Sequence, residues 1–510
     1  MSRWSSGGLL ALASVATALV LWTGAAAVLG LPDLLLPSPV AVAAAFGANA
    51  HSIAASVAYT AAEVAVGWTI GVTVGVALAA AIALSPAASR LGYPFLVVVR
   101  LVPVVVFLPV LVLVLGPTAA SRAAIAVLVT FFPVTLATIE GLRSTDGDRL
   151  ATLSVVGASR WQQLRYVRLP DALPALFTGL TVSAPIAVQT VVLAEFLVGN
   201  RGIGAALQAT AARFETALLF AYVLVLIGLG IALFGLLRTV ESAVRWDAAA
   251  AGVADGGGTV TADLPGNPAT NAVVAAATFG VGALVWQVAS GAFPRDLALF
   301  LPAPLAVGRT LLDAAGLFVG AGTATLLTFT IGWGGGSLLG LAVGAVVGLA
   351  PRLRGLLGSH VVAARSVPDV AVVPLFLVWF RVGPTTAALL VAVAAVFPVA
   401  LAAADGAGRL PARQYDLLRS VGAPRHRVLV ARARYALPQL FAGLKLSVVG
   451  GFTATVIAEW FLTSDGLGVL LLQGMTDTNP ELTYAAALAL AALGMALYGV
   501  VAGVQRRLTW

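Results

Sequence analysis

The chain has no cysteine, one lysine and three histidines among its 510 residues. Without cysteine it forms no disulfide and offers no thiolate to a metal or a substrate. His51, His360 and His426 stand far apart, and no HExxH pattern occurs, so we expect no metal site. Lys445 lies in Gly-Leu-Lys-Leu and cannot complete the GxxxxGK[ST] loop that binds ATP phosphates. We therefore predict no metal, no cofactor and no ATP-hydrolysing site in this chain.

Charged residues are also scarce, at 10% of the chain, while hydrophobic residues make up 60%. A soluble protein needs far more charge to cover its surface. Apolar runs of about 18 or more residues recur along the sequence, and each is long enough to span a bilayer. The composition predicts an all-α polytopic membrane protein. The net charge of +8 then favours basic cytoplasmic loops over nucleic-acid binding.

The second half of the chain repeats the first half. Phe132-Pro133 recurs as Phe397-Pro398, an offset of 265 residues (397 − 132). Further along, Ala194-Glu195-Phe196 recurs as Ala458-Glu459-Trp460, an offset of 264 (458 − 194). One residue is therefore missing from the second copy between these motifs. A repeat of this length indicates a tandem duplication.

The repeat predicts two parallel six-span units. We assign residues 1–247 to the first unit, 248–270 to a cytoplasmic linker rich in glycine and short polar residues, and 271–510 to the second unit. The twelve expected spans lie near 7–30, 53–84, 92–115, 120–141, 175–198, 216–238, 272–291, 317–349, 356–380, 386–404, 438–462 and 482–503.

The basic residues favour an orientation with both termini in the cytoplasm. With Met1 inside, 20 of the 29 basic residues fall in cytoplasmic segments and 6 in outer segments. The remaining three, Arg100, Arg365 and Lys445, fall within spans. Cytoplasmic loops carry the excess of arginine and lysine in membrane proteins. This asymmetry predicts a multi-pass protein of the cell membrane with linker and termini inside.

Most of the inner arginines fall in one loop per copy, between spans four and five, near 142–172 and 405–436. Apolar residues at 150, 153 and 156, and then at 161, 164 and 167, predict two short amphipathic helices broken at Gly157. Gly422 is its counterpart in the second copy. Helices that are apolar on one side and basic on the other either lie on anionic headgroups or dock into a groove on a partner. The pattern leaves both alternatives open.

This loop resembles the EAA loop of binding-protein-dependent ABC transporter permeases, in which a glycine separates two helices and the stretch ends in Leu-Pro. The matching residues, which the resemblance implies contact the ATPase, are Gly157, Ala158, Arg160, Leu169, Pro170, Asp416, Gly422 and Ala423. The copies depart from the pattern differently. Ala151 and Asp416 occupy the glutamate position, and Arg434-Tyr435 stands where the second Leu-Pro would fall. The two ATPase contacts are therefore expected to be unequal.

Other motifs are similar to the branch of permeases for nitrate, sulfonates, taurine and pyrimidine precursors of thiamine. They are Leu-Pro-Ser-Pro at 36–39, Ala-Glu-Phe at 194–196 and Leu-Phe-Leu-Val-Trp-Phe at 375–380. The resemblance implies a type I ABC importer fold and a translocation subunit that is not itself an enzyme. It also implies two ATP-binding cassette subunits inside, an extracytoplasmic substrate-binding protein, and a small solute as substrate.

Burying a polar residue within a span costs free energy, so the polar residues found there are candidates for lining the translocation pathway. The equivalent pair Arg100 and Arg365 either faces the pore or snorkels to the cytoplasmic face. The carboxylates of Glu195 and Glu459 either line the outer gate or bond to the loops that follow them. The remaining pair, Gln189 and Thr453, either lines the pathway or joins helices by hydrogen bonds.

The glycines at 332, 334, 335, 336, 340, 344 and 348 predict close packing of the second span of the second copy. Two rival functions remain. A twelve-span secondary transporter with parallel repeats would transport without an ATPase. A membrane scaffold or enzyme is the other rival, although no nucleophile–base motif was found in the sequence.

Overall fold

The computed structural model describes residues 32–85, 104–244, 268–292, 300–349 and 369–508, with scattered residues between 17 and 30. Throughout this described part the regular structure is helical. The prediction of an all-α membrane protein is confirmed. Residues 248–267 of the predicted linker lie outside the described residues, as do Arg100 and Arg365.

Nine α-helices of the first copy lie between residues 39 and 244, after the scattered helical residues from 17 to 28. They are α1 (Pro39–Ala48), α2 (Ala50–Leu84), α3 (Phe107–Leu115), α4 (Ala119–Arg143), α5 (Gly147–Val155), α6 (Arg160–Gln163), α7 (Leu169–Val198), α8 (Gly202–Ala212) and α9 (Thr216–Val244). A 3₁₀ turn, Val104–Val106, precedes α3, and a π-helical turn, Leu164–Arg168, joins α6 to α7.

The second copy repeats most of this order. Its described helices are α10 (Pro268–Ala292), α11 (Pro304–Asp313), α12 (Ala315–Leu349), α13 (Asp369–Phe380), α14 (Pro384–Ala407), α15 (Ala412–Ser420), α16 (Arg425–Leu462), α17 (Leu467–Thr476) and α18 (Pro480–Leu508). The order matches from α11 onward, with α10 before it and with α16 in the place of α6, the π-helical turn and α7. The helices α12 and α18 follow α2 and α9 at the offsets of 265 and 264 that the sequence motifs show.

Eight of the described helices are long and apolar enough to cross a membrane. They correspond to the second, fourth, fifth and sixth expected spans of each copy. The third spans are represented by the shorter α3 and α13, and the rest of each of those spans lies outside the described residues. The first span of the second copy coincides with α10.

Three long helices form the centre of each copy. In the first copy α4 packs between α2 and α7, and in the second copy α14 packs between α12 and α16. The same hydrogen bond fastens both groups. The indole Nε1 of Trp68 donates to Ser183 Oγ at 3.1 Å, and that of Trp333 donates to Ser447 Oγ at 2.8 Å. The duplication therefore preserves tertiary contacts as well as sequence motifs.

A stripe of glycines sets the close approach of α12 to α14. An added methyl group at Gly332, Gly336, Gly340, Gly344 or Gly348 would overlap atoms of α14, whereas Gly334 and Gly335 face open space. Residues four apart lie on one face of a helix, and small residues let helix backbones approach closely in membranes. The predicted packing role is confirmed for five of the seven glycines.

The two copies pack against each other through their short third-span helices. The helix α3 contacts α17 and α18 of the second copy, and α13 contacts α7 and α8 of the first. The indole of Trp379 donates to the Leu35 carbonyl of the other copy at 2.7 Å. Because each copy offers equivalent helices to the other, the arrangement resembles a twofold dimer built on one chain.

Candidate functional site

The first candidate site is the turn that ends α5. Gly157 has φ +79°, in the left-handed region that favours glycine, although nothing lies near the position of an added methyl group. Its amide donates to the Ser154 carbonyl at 3.1 Å, and the Ala158 amide donates to the Leu153 carbonyl at 3.0 Å. These two bonds form a Schellman motif. The glycine is needed for its backbone conformation rather than for space.

The second copy builds the same turn after α15. Gly422 has φ +66° and donates to the Arg419 carbonyl at 3.0 Å, while the Ala423 amide donates to the Leu418 carbonyl at 2.9 Å. Asp416 lies exposed on α15. The predicted break at both glycines is confirmed.

The helix after each glycine differs from the prediction of a separate short element. In the second copy α16 runs without interruption from Arg425 through the fifth span. In the first copy the helical run continues from Arg160 to Val198, so Leu169 and Pro170 lie inside it and do not end the loop. The prediction failed here because one continuous helix contains both an exposed amphipathic segment and an apolar span. The hydropathy pattern changes between them, but the helix does not end.

The one-residue difference between the copies falls on the π-helical turn. Proline has no amide hydrogen and clashes with the carbonyl four residues before it. Just before Pro170, the Leu169 amide bonds five residues back to Leu164, which accommodates one extra residue in the helix. The second copy lacks that residue and has an unbroken α-helix. The change of offset from 265 to 264 therefore corresponds to the π-helical turn, which is present only in the first copy.

Both short helices are largely exposed in the part of the chain that the structure describes. Neither α5 nor α15 contains a buried residue. Large apolar side chains on or beside them are exposed, namely Val155, Val156, Leu417 and Val421. Of the residues predicted to contact an ATPase, Gly157, Arg160, Pro170 and Gly422 are also exposed, whereas Ala158, Leu169 and Ala423 are half-buried. Apolar groups on such a small element indicate a surface that a partner covers.

Each short helix is tied to its fifth-span helix by a different contact. In the first copy Arg149 of α5 pairs with Asp171 of α7 at 3.4 Å. In the second copy the guanidinium of Arg432 lies over the ring of Tyr415 at 5.2 Å from its centroid, a cation–π contact. Both contacts connect the projecting helix to a membrane-spanning helix.

The second candidate site surrounds the carboxylate of Glu195, which is fully buried at the end of α7. The Thr60 hydroxyl donates to Oε1 at 2.8 Å and accepts from the Ile203 amide at 2.9 Å. The Gly204 amide donates to Oε2 at 2.9 Å. Gly202 adopts φ +95°, and an added methyl group there would overlap the carboxylate. The carboxylate thus binds the loop that follows its helix.

Glu459 repeats part of this geometry in the second copy, where its Oε1 meets no hydrogen-bond partner among the described residues. It is 1% exposed, and the Gly468 amide donates to its Oε2 at 2.6 Å. The Thr325 hydroxyl, which is the counterpart of Thr60, accepts from the Leu467 amide at 2.9 Å. Of the two alternatives in the sequence, this geometry agrees with a helix-end carboxylate bound by the next loop. A role in the pathway stays a prediction.

The fifth-span helices of the two copies meet beside these carboxylates. Phe196 packs edge-on against Phe461, with ring centroids 4.8 Å apart. Gln189 and Thr453 lie two turns earlier and are half-buried. The Thr453 hydroxyl donates to the Val449 carbonyl of its own helix at 3.0 Å. The structure therefore places the polar pair on equivalent stretches of α7 and α16.

One buried charge pair was missed in the sequence. Arg122, at the start of the fourth expected span, lies inside α4 and is 3% exposed. Its Nη2 lies 2.9 Å from an oxygen of Glu63 on α2, and the same nitrogen donates to Tyr59 at 2.9 Å. The two residues are 59 positions apart in sequence, so no pattern within a short segment of the sequence predicts their contact.

Two covalently joined helical units, each with a projecting loop fixed to a membrane-spanning helix, define a polytopic transport protein built as a dimer on one chain. The chain belongs to the family of binding-protein-dependent transport system inner membrane components. The family matches residues 71–246 and again 336–510, which together make up more than half of the chain. The resemblance to a fused ABC permease is confirmed.

Relatives of this chain are single permeases that each match less than half of it. The riboflavin transport system permease protein of Chloroflexus aurantiacus is 35% identical over 237 residues, 45% of this chain and 87% of the relative. The taurine transport system permease protein of Escherichia coli is 31% identical over 219 residues, 41% of this chain and 80% of the relative. The formylaminopyrimidine transport permease protein of Halalkalibacterium halodurans is 33% identical over 154 residues, which are 30% of this chain and 62% of the relative. The chain is a multi-pass ABC importer permease.

Proposed function

We propose that this chain is the complete membrane pore of an ATP-driven importer, with one ATP-binding subunit docked on each projecting loop. The observation that carries this proposal is the pair of short helices α5 and α15, which have no buried residue and expose apolar side chains. An amphipathic helix of this kind fits a groove on a partner. ATP must bind elsewhere because the single lysine cannot complete a phosphate-binding loop.

The same geometry suggests how the partner's motion reaches the membrane. Each projecting helix is tied to its fifth-span helix, by Arg149 and Asp171 in one copy and by Tyr415 and Arg432 in the other. Displacement of α5 or α15 by a moving ATPase therefore pulls directly on α7 or α16. Rigid-body movement of one copy against the other would then give alternating access. The differing tethers make the two couplings unequal.

The pathway is proposed to run between α7 and α16. The contact between Phe196 and Phe461 closes it at the end that carries the two buried carboxylates. Gln189 and Thr453 are proposed to face it further along, and Arg100 and Arg365, which lie outside the described residues, are proposed to attract an anionic substrate. Glu195 and Glu459 hold the loops at the closed end and so position the aromatic gate.

The substrate is proposed to be a small anion, such as nitrate, a sulfonate or taurine, or a pyrimidine precursor of thiamine. A binding protein would deliver it to the outer face and select it. The names of the relatives include taurine and formylaminopyrimidine transport, which supports this range. Both termini are proposed to lie in the cytoplasm, because the excess of arginine in the inner loops sets orientation.

Affinity purification of the chain together with its neighbouring gene products tests the proposal, with an ATPase subunit as the expected partner. We expect the ATPase to co-elute with the wild-type chain, and to be lost when Gly157→Val and Gly422→Val are combined. A β-branched residue at a left-handed position costs about 1–2 kcal/mol and disturbs the turn. Gly228→Val is the matched control, since Gly228 lies in α9 with nothing nearby and outside both loops.

Transport by the chain alone in sealed vesicles would overturn the proposal and support a secondary transporter. A double variant that keeps its ATPase as well as Gly228→Val does would also contradict docking through the two turns. Crosslinking from a cysteine introduced in α5 tests the contact of that loop with the ATPase separately from the other loop, because the chain has no cysteine of its own.

A further inference from the structure

The segment that follows each fifth span carries opposite charge in the two copies. Two basic residues of the first copy are replaced by acidic residues in the second, Arg201 by Asp465 and Arg213 by Asp477, both at the offset of 264 (465 − 201 and 477 − 213). Counted over the equivalent ranges 199–215 and 463–479, the net charge is +1 (two arginines and one glutamate) against −2 (two aspartates). The charge is reversed inside a repeat that otherwise keeps its motifs.

The same backbone turn presents the second charge of each pair, at the end of α8 and of α17. The Phe214 amide donates to the Ala211 carbonyl at 3.1 Å, and the Thr478 amide donates to the Met475 carbonyl at 3.3 Å. Phe214 and Thr478 have φ of +57° and +54°, so both lie in the left-handed region. Arg213 and Asp477 directly precede them. The backbone is therefore the same at the point where the charge is reversed.

The first charge of each pair stands at the start of the same short helix. Arg201 directly precedes Gly202, and Asp465 directly precedes Gly466. An added methyl group at either glycine would overlap the buried carboxylate of the preceding span, which fixes this end of the helix. Helices of 11 and 10 residues then separate the two charges of each copy by about 15 Å.

The four charged residues are all exposed. None of them forms an ion pair within the described part of the chain. In the first copy Phe214 is also 62% exposed beside Arg213, and arginine and aromatic residues are enriched at protein interfaces. The turns before the fourth spans do not share the reversal, because Arg381 stands in the second copy where Gly116 stands in the first (116 + 265).

We infer that these two segments fix the orientation in which the substrate-binding protein docks. The lobe above the first copy presents an acidic contact to Arg201 and Arg213, and the lobe above the second copy presents a basic contact to Asp465 and Asp477. The inference rests on the proposed binding protein and on the proposed orientation, which places this end of the spans outside.

The twofold-like arrangement of the two copies makes such a device necessary. Binding proteins of this class close two domains around their ligand. A two-lobed protein can be placed on a pore with twofold symmetry in two ways that differ by half a turn, and identical halves would favour both equally. Opposite charges on the two halves attract the lobes in one orientation and repel them in the other.

Binding of the purified substrate-binding protein, taken from the neighbouring gene products, to the full chain in nanodiscs tests this inference. Arg201→Asp with Arg213→Asp makes both segments acidic, and Asp465→Arg with Asp477→Arg makes both basic. Each pair should slow association about tenfold at low salt, as loss of electrostatic steering does. The difference should disappear at about 1 M salt, where the Debye length is about 3 Å.

The matched control is Arg506→Asp with Arg507→Asp, which changes the net charge as the first pair does. Both control residues are exposed at the end of α18, which we place in the cytoplasm. The control should bind as the wild type does. Co-elution of the ATPase with each variant checks that the chain is folded.

Exchange of all four charges between the copies should reverse the orientation. A single cysteine in one lobe of the binding protein is crosslinked to Ala209→Cys or to Gln473→Cys, which are exposed and equivalent (209 + 264). The chain has no other cysteine. With the natural charges the lobe should crosslink to only one of the two positions, and after the exchange it should crosslink to the other.

Crosslinks to both positions with the natural charges, or the same position before and after the exchange, would overturn the inference. Association that neither charge pair slows would also overturn it. If no binding protein associates with the wild-type chain while the ATPase co-elutes, this inference is wrong and ATPase docking stands. If the ATPase does not co-elute but one orientation is selected, the proposed ATPase docking is wrong and this inference stands.

Discussion

Arg122 and Glu63 form a buried ion pair that joins α4 to α2 in the first copy, with 2.9 Å between nitrogen and oxygen. At the offset of 265, the second copy has Ala387 and Thr328 in these places (122 + 265 and 63 + 265). Both charges are therefore absent together from one copy and present together in the other. The pair belongs to the set of differences that make the two halves unlike.

Removing one partner of this pair should destabilise the protein more than removing both. Arg122→Ala leaves the Glu63 carboxylate buried and unpaired, which costs about 3–5 kcal/mol. The combined variant Glu63→Thr with Arg122→Ala reproduces the second copy and leaves no charge. We expect its melting temperature, followed by tryptophan fluorescence in detergent, to lie well above that of Arg122→Ala. Equal melting temperatures would show that the charges do not interact.

A methyl group on the glycine stripe of α12 should weaken the second copy. Gly344→Ala would overlap the Ala400 carbonyl and the Ala403 side chain, and overpacking costs about 1–3 kcal/mol. Gly334→Ala lies in the same helix but faces open space, so it should not lower the melting temperature. The comparison uses two substitutions of one kind in one helix. An equal decrease of melting temperature in both variants would contradict the role of the glycine stripe in packing α12 against α14.

The segments that follow the fifth spans should not tolerate a side chain at Gly202 or Gly466. At Gly202 an added methyl group meets the Glu195 carboxylate, and at Gly466 it meets that of Glu459. Left-handed backbone strain adds about 1–3 kcal/mol. We expect Gly202→Ala and Gly466→Ala each to reduce folded yield on size-exclusion chromatography. Gly228→Ala in α9 is the control and should elute as the wild type does.

Deleting the extra residue of the first copy should remove its π-turn and leave its projecting loop in place. The variant lacks Tyr166 and carries Pro170→Arg, as in the second copy, so that a regular α-helix forms. Because a π-turn holds one more residue per turn than an α-helix, the segments on either side of it stay in register when that residue is removed. Spin labels at Val155→Cys and Leu417→Cys, both exposed, should report an unchanged distance between the loops. A changed distance would mean that the π-turn does not absorb the extra residue.

Much of the fold was predictable because its signals are local or periodic. The spans appear as apolar runs, and the duplication appears as motifs at constant offset. The left-handed turns at Gly157 and Gly422 appear as glycines between amphipathic segments. Each of these features depends on residues a few positions apart, or on the comparison of one half with the other.

Other features depend on which helix faces which. The partner of Arg122 lies on another helix, and a one-residue change of register would separate them. The carboxylate of Glu195 was recognised, but its bond to Thr60 was not, because 135 residues separate the two. The sequence also did not predict that the second loop helix continues into the span. The exposure of its side chains changes along its length, but the helix is not interrupted.

The sequence by itself determined the membrane class, the duplication, the family and the inequality of the two copies. Only the tertiary structure decided that Arg122 pairs with Glu63, that five of the seven glycines face α14, and that a single extra residue becomes a π-turn. The physical reason is that hydropathy and glycine turns act within a segment, whereas packing between helices selects which buried groups meet.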